Sequence, residues 1–414
     1  MPSQSFVLGV NYWPRRKAMY WWSQFEAAEV DADFGLLQEL GLNVARIFLL
    51  WDDFQPTPES VDKNALSHLL TVADLAAKHK IGLDVTFFTG HMSGPNWAPR
   101  WLAQEREGFA SPYFGWVRQL ISQGKIVPNG NYRNMFTDPV ALSAERILLK
   151  TVVGELKDHP AIYLWNLGNE PDLFAWPDDA RQGRAWVREM RDLIRTIDPK
   201  TPVTIGLHGG DIEEDTGLRV HDLFAESDVA VMHAYPMYTE WARGPLDPDH
   251  VPFMTALTAH LAGKPALMEE FGGCTNLKGQ PSATWAWNSY GTDRTQFMAS
   301  EEDFAAYIRQ VLPNLQEVGA TGAILWCFAD YAEELWDMPP CGESRHERHF
   351  GLIRPDGSLK PHAETLKQFA ARQPQVKPIP DYAKFPGLNG DDFYEQKLYE
   401  NMGALYQAYL KRKG

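Results

Sequence analysis

The stretch Ala161–Pro171, A-I-Y-L-W-N-L-G-N-E-P, decides how the rest of the chain is read. It starts as a buried strand does, with β-branched and aromatic residues and no charge. It stops at Asn169-Glu170-Pro171, because proline cannot donate to a sheet ladder. A carboxylate and an amide are left at the carboxyl end of an apolar strand. In α/β sheets and barrels, that end is where chemistry sits.

Outward from this strand the same pattern recurs. Upstream lie Phe6–Val10, running into Asn11-Tyr12-Trp13-Pro14, then Asn43–Trp51, followed by Asp52 and Asp53, then Gly82–Gly90. Downstream lie Val203–Leu207, Val229–Tyr235, Pro265–Gly272 and Ala323–Phe328. Helical spacing fills the intervals at Phe25–Leu40, Asn64–Lys80, Asp138–Lys157, Trp186–Ile197, Thr255–Ala262 and Phe304–Val318, with Lys360–Ala371 at the end. Strands alternating with helices predict parallel pairing and right-handed crossovers. Eight such strands in 414 residues predict the α/β class and a (β/α)8 TIM barrel. A doubly wound open sheet is the other architecture. It would carry a Gly-rich phosphate loop after its first strand, and Gly9-Val10-Asn11-Tyr12 is not one. The βα loops His91–Thr137, Gly273–Glu301 and Asp330–Ser358 are long. Residues 1–372 read as the barrel. In 373–414, Pro374, Pro378, Pro380 and Pro386 make an irregular linker, and Asp391–Lys413 reads as one amphipathic helix. That helix is expected to pack on the barrel or on a second subunit.

Composition narrows the function. A net charge of −15 argues against nucleic-acid and anionic-membrane partners, which reward Lys and Arg. Three cysteines without metal-ligand spacing, and an amino terminus without a basic-then-apolar leader, read as a cytoplasmic protein with free thiols. The 15 tryptophans fit both sugar stacking and core filling.

A barrel brings its strand ends to one mouth, and that mouth collects Asn11, Arg46, His91, Asn169, Glu170, His233, Tyr235, Glu270 and Trp326. Glu170 and Glu270 end the fourth and seventh strands and would face each other. Glycoside hydrolysis needs such a pair, and a spacing of roughly 5–5.5 Å makes one of them a nucleophile. Arg46 sits inside an apolar strand and needs a buried carboxylate partner. That partner lowers the nucleophile's pKa, whereas Glu170 must keep a proton near neutrality through burial and like-charge proximity. Neighbours on a strand point to opposite faces, so Glu270 should look down the barrel with Met268 and Ala266, and Glu269 outwards. No cofactor and no metal are expected. His208 and His233 end strands five and six, but they suit no three-ligand zinc site.

These motifs together resemble the retaining glycoside hydrolases of clan A, family 5. They are Asn169-Glu170-Pro171, Glu270-Phe271-Gly272, His233-x-Tyr235, Arg46 and Trp326, and the likeness covers about residues 6–371. It implies Glu170 as acid/base and Glu270 as nucleophile. It also implies Asn169 on the sugar 2-hydroxyl, Tyr235 on the nucleophile, His233 beside the acid/base and Trp326 beneath the sugar. His91 matches less closely, since Gly90-His91-Met92 stands where paired histidines are often found. Leu8–Arg15 and Gly90–Gly94 are similar to the β-mannosidase-like branch. That branch implies an oligosaccharide partner and exo release of β-linked mannose from short chains. An endo-β-1,4-mannanase, a β-glucosidase or cellulase-type enzyme, and a non-catalytic sugar-binding barrel are the alternatives. Trp51, Asp52, Asp53, Glu333, Glu334 and Trp336 are further candidates for lining the cleft.

Overall fold

The computed structural model describes residues 4–105, 119–127, 130–289 and 292–414. Part of the long segment after the third strand therefore lies outside the described residues. Eight parallel strands are present: β1 (Val7–Asn11), β2 (Val44–Leu50), β3 (Gly82–Thr89), β4 (Ile162–Asn169), β5 (Val203–Gly206), β6 (Ala230–His233), β7 (Ala266–Gly272) and β8 (Gly322–Trp326). They pair in the order β5-β4-β3-β2-β1-β8-β7-β6. The seam between β5 and β6 is joined by a parallel bridge at His208 and His233. There the His233 amide donates to Leu207 O (2.8 Å) and the Gly209 amide to His233 O (3.1 Å). The expected (β/α)8 TIM barrel is what the chain forms.

One helix follows each strand: α1 (Ala27–Glu39), α2 (Lys63–Lys78), α3 (Pro139–Leu156), α4 (Ala180–Ile197), α5 (Val220–Glu226), α6 (His250–Ala262), α7 (Glu301–Glu317) and α8 (Pro361–Ala370). Local chemistry sets their ends. The Asp62 carboxylate accepts from the Asn64 and Ala65 amides at the start of α2. Asp138 does the same for α3, whose first residue is Pro139. Gly41 ends the first crossover at φ +74°, a conformation that favours glycine.

Several elements differ from the sequence reading. α4 starts at Ala180 instead of Trp186, because Asp179 caps a polar first turn by accepting from the Gln182 amide. α6 starts at His250, five residues before Thr255, and nearly all of its residues are buried, so its face has no polar contrast to read. Gly273–Glu301 holds an antiparallel hairpin, Ala283–Ser289 paired with Thr292–Met298. The tail is two helices, Gly390–Tyr394 and α9 (Leu398–Lys413), where one was expected. Trp13, Trp21, Trp22, Trp51 and Trp165 are fully buried and fill the core. No helix among the described residues is long and apolar enough to cross a membrane.

Burial also gives the fold an acid sensitivity. His250 and His362 are each held by burial at a pKa of about 3, whereas an unfolded His titrates near ~6.5. Between those values the unfolded chain binds more protons, so stability rises with pH and is lost as pH falls from about 6.5. Glu226 adds to this with the same sign. Its bond from Arg188, with Arg184 beside it, holds it down at about 2, so that stabilisation also disappears as pH falls below about 4.3. We expect Tm to drop progressively from pH 7 to pH 4 in calorimetry. His362→Phe, which keeps a ring against Phe304 (4.8 Å between centroids), should reduce that slope. An unchanged slope would remove His362 from the account.

Candidate active site

Arg46 on β2 organises the mouth of the barrel. Its side chain is fully buried, which is tolerable only if every donor is used. Nε donates to Thr86 Oγ1 (3.0 Å), Nη1 to Asn11 Oδ1 (3.2 Å) and Glu270 Oε2 (3.1 Å), and Nη2 to Asn169 Oδ1 (3.0 Å). Gly206 on β5 makes room for this network. A Cβ there would stand 2.9 Å from Arg46 Nη2 and 3.1 Å from His233 Cε1.

Glu270 ends β7 with both carboxylate oxygens engaged: Oε2 by Arg46, Oε1 by the Tyr235 hydroxyl (2.6 Å). Glu170 follows β4 with φ +47°, in the left-handed region. Its amide donates to Gly206 O (3.0 Å), and Oε1 meets His233 Nδ1 (2.9 Å). Glu170 and Glu270 bring carboxylate oxygens within 4.8 Å of each other. Asn169 lies between Arg46 and the His91 carbonyl, which accepts from its Nδ2 (3.1 Å).

Glu269 corrects the parity expectation. It is not turned outwards. It is fully buried inside the barrel, with Oε2 3.0 Å from His233 Nε2 and 3.5 Å from Arg46 Nη2. The pairing explains this. Met268 pairs with Ala323 of β8 and the next register pair is Phe271–Leu325, while on the β6 side Met232–Met268 is followed by His233–Glu270. β7 carries an extra residue here, and a bulge breaks the strict alternation of faces. His233 is thus held between Glu170 and Glu269. Burial lowers its pKa, but the Glu270 charge and its bonds to the two other glutamates raise it to about 9.

The electrostatics of the pair are also the reverse of those expected. Burial raises Glu170, but the His208 and His233 charges outweigh it and leave the group below the ordinary carboxylate range. Burial raises Glu270, and the Glu170 charge adds to it, against His233, Arg46 and Tyr235. His208, at the end of the fifth strand, is bonded through Nε2 to the buried Asp172 carboxylate (2.9 Å) and stands on the Glu170 side.

A cavity of about 630 Å³ opens over this floor, lined by His91, Asn169, Glu170, His233, Tyr235, Glu270 and Trp326 among the expected residues. Asn11, Arg46, Trp51 and Asp52 do not reach it. Asn11 and Arg46 lie beneath as supports. Trp51 is core, its indole bonded to Gln55 Oε1 (2.8 Å), and the Asp52 carboxylate accepts from the Gln123 amide. Asp53, Glu333, Glu334 and Trp336 are also absent from the lining. The remaining wall comes from the connections between barrel strands and helices: Ser93, Glu213, Ser344 and Glu347, with Trp287 and Arg294 paired across the hairpin. Burial pushes the Glu347 carboxyl up to about 8.

Among the described residues two groups have metal-capable spacing, Glu170-His233-Glu270 and Asp172-His208-Asp211. Internal hydrogen bonds account for the geometry of both. In the second, Asp211 accepts from the His208 amide (3.1 Å) and from Thr216 Oγ1 (2.8 Å).

Known proteins place the chain. A family model, "Glycosyl hydrolases family 2, TIM barrel domain", matches residues 117–373. A probable mannan endo-1,4-β-mannosidase F of Aspergillus flavus is 24% identical over 61% of this chain and 55% of its own length. Mannan endo-1,4-β-mannosidase A of Hypocrea jecorina is 24% identical over 66% and 62%. The chain thus spans little more than half the length of the first of these relatives. Among solved structures, an exo-β-1,4-mannosidase from Opitutaceae bacterium strain TAV5 superposes with a TM-score of 0.70 at 25% identity, over 90% of this chain and 60% of that one. A GH5_18 protein from Streptomyces cattleya, solved with GlcNAc, gives 0.76 at 20% identity over 99% and 91%. The resemblance to the mannosidase and mannanase branch is met by these relatives, and the family model spans more than half of the sequence. The chain belongs to the TIM-barrel glycosyl hydrolases.

Proposed function

We propose that this protein is a retaining β-glycosidase that releases β-linked mannose from the ends of short manno-oligosaccharides. The observation that carries it is the approach of Glu170 and Glu270 to within 4.8 Å on the cavity floor, which supports double displacement over the wider spacing of inverting enzymes. Glu270 attacks the anomeric carbon. Arg46 and Tyr235 hold the attacking group in place. Glu170 protonates the departing oxygen, and after the leaving group has gone it deprotonates the water that opens the glycosyl-enzyme. Asn169 and His91 face the sugar, and Trp326 lies under it.

The proton has a source in the same network. His233 donates through Nδ1 to Glu170 (2.9 Å). When sugar expels water from the cavity, separating that ion pair from solvent favours transfer along the bond. Glu170 then becomes the neutral acid, and its repulsion of Glu270 is gone. His233 keeps its Nε2–H on Glu269.

Exo action is supported by loop contacts at the cavity wall that Ser93, Gly94 and Ser344 form. The loops after β1, β3 and β8 are tied together: Tyr20 OH donates to Pro339 O (2.7 Å) and its ring meets Trp97 edge-on. Gly94 lies so close to Ser344 Oγ that a Cβ would overlap it. The names of the curated relatives favour an endo-mannanase as the second reading. A location inside the cell is supported by Cys274, Cys327 and Cys341, all buried free thiols. Product analysis over time on mannotetraose and mannohexaose tests the main reading. Mannose as the first product is expected, and early mixed oligomers would replace exo with endo action.

A further inference from the structure

The C-terminal extension, residues 373–414, reaches the cavity through a chain of contacts. Tyr406 on α9 is fully buried. Its hydroxyl donates to Asp247 Oδ2 (2.6 Å), and Asp247 in turn binds Arg243 (2.6 Å). Lys413 pairs with Asp249 (2.6 Å). These bonds pin the loop after β6 against the extension. The Tyr406 ring packs edge-on to Trp241 (5.5 Å) and against Phe253 (5.0 Å), and Trp241 also covers His250 (4.8 Å). Trp241 then donates its indole N–H to Glu213 Oε1 (2.6 Å). The loop holding Glu213 is fixed from the same side. Tyr394 OH donates to Asp211 O (2.7 Å) and accepts from the Val220 amide (3.0 Å).

Glu213, after β5, lines the cavity, as do Thr239 and Met254 after β6 and Ser93, Gly94 and Ser344 on the loops after β3 and β8. Its Oε2 has no hydrogen-bond partner among the described residues. A leaving group protonated by Glu170 departs within the same cavity that Glu213 lines. A carboxylate with one oxygen anchored and one free suits a pair of sugar hydroxyls.

We propose that Glu213 binds the leaving sugar, and that the C-terminal extension, acting through Tyr406 and Trp241, is the positioning element that sets selectivity for a saccharide leaving group. This rests on the glycosidase reading and adds the group recognised on the leaving side. The test is the ratio of kcat/KM on a disaccharide to kcat/KM on the aryl glycoside of the same released sugar, in wild type, Glu213→Gln and Trp241→Phe. Mannobiose and Manβ1-4GlcNAc are compared with 4-nitrophenyl β-mannoside. Trp241→Phe keeps a ring in the aromatic stack and removes only the donor, so it covers a folding failure of the first variant. The ratio is expected to fall at least tenfold in Glu213→Gln and in the same direction, by less, in Trp241→Phe, with KM on the disaccharide carrying most of the change. A ratio within twofold of wild type in both variants, or equal losses on both substrates, overturns the inference while leaving the glycosidase reading intact. A wild type that cleaves no β-glycoside overturns both.

Discussion

Glu270→Ala is expected to reduce β-mannoside hydrolysis on the order of 10⁴-fold or more, the scale seen when a covalent nucleophile is removed. Added azide should then restore turnover and yield the α-glycosyl azide. The substitution removes a carboxylate whose two oxygens occupy separate donor sites, Arg46 Nη1 at 3.1 Å and Tyr235 OH at 2.6 Å. Both donors stay where they are, so the vacated space is an anion site beneath the anomeric carbon. Azide entering it attacks from the face that Glu270 used, and with no second displacement the configuration inverts. Kinetics with and without azide, and the stereochemistry of the product, decide the matter. Near-wild-type activity in Glu270→Ala would falsify the nucleophile assignment. Rescue giving the β-azide would point to a different residue.

The barrel was legible because its signals are local. Each strand is an apolar run closed by Asn, His, Glu or Pro, and the intervals hold helix-length amphipathic stretches with Asp62, Asp138 and Ser300 at their caps. The candidate pair was legible for the same reason, since Glu170 and Glu270 sit at strand ends. The failures share a different cause. Glu269 was misread because strict alternation assumes an unbroken ladder, and a bulge is a property of the pairing between strands. The hairpin Ala283–Met298 was missed because much of it is exposed, so its pattern lacks the apolar face that marks a half-buried strand. Trp51 and Asp52 follow β2, as a sugar-contacting pair would, yet the chain turns at once into a short helix, Trp51–Phe54, that carries the indole into the core. Glu213, Trp287 and Glu347 reach the cavity on short elements inserted between the barrel strands and helices, where spacing along the chain carries no information about position in space.

The charges under the site follow one logic that a linear reading cannot supply. Arg46 and the two histidines, His208 and His233, face Glu170, Glu269 and Glu270 together with the buried acids Asp84 and Asp172. Asp84 is raised by burial and by Glu269, and Glu269 itself is lowered by Arg46 and His233 against its own burial. Glu170 and Glu269 thus fall in one class, lowered by the cations beside them, and Asp84 and Glu270 in another, raised by burial and a neighbouring carboxylate even with Arg46 close by. Which group falls in which class depends on a few ångströms of placement and not on residue type.

That placement leads to the second large effect. Glu170→Ala should lower kcat/KM on manno-oligosaccharides by roughly 10³- to 10⁴-fold, the upper range for a general acid. The loss on 2,4-dinitrophenyl β-mannoside should be far smaller, because that leaving group departs without a proton. In wild type, kcat/KM should fall on the alkaline side as the Glu170–His233 hydrogen bond loses its proton. With His233 raised to about 9 by the Glu270 charge and its two carboxylate bonds, against burial, that fall belongs near pH 9. The sign is fixed: the raised group keeps its proton, and the enzyme its acid, until pH passes that value. In Glu170→Ala the alkaline limb should vanish for the activated substrate, since its departure no longer draws on that proton. Azide should accelerate this variant as well, now giving the β-azide, because Glu270 still forms the glycosyl-enzyme and azide completes a second inversion. Equal losses on both substrates, or an alkaline limb unchanged in the variant, would remove Glu170 from the acid role and leave its bond to His233 as a structural contact alone.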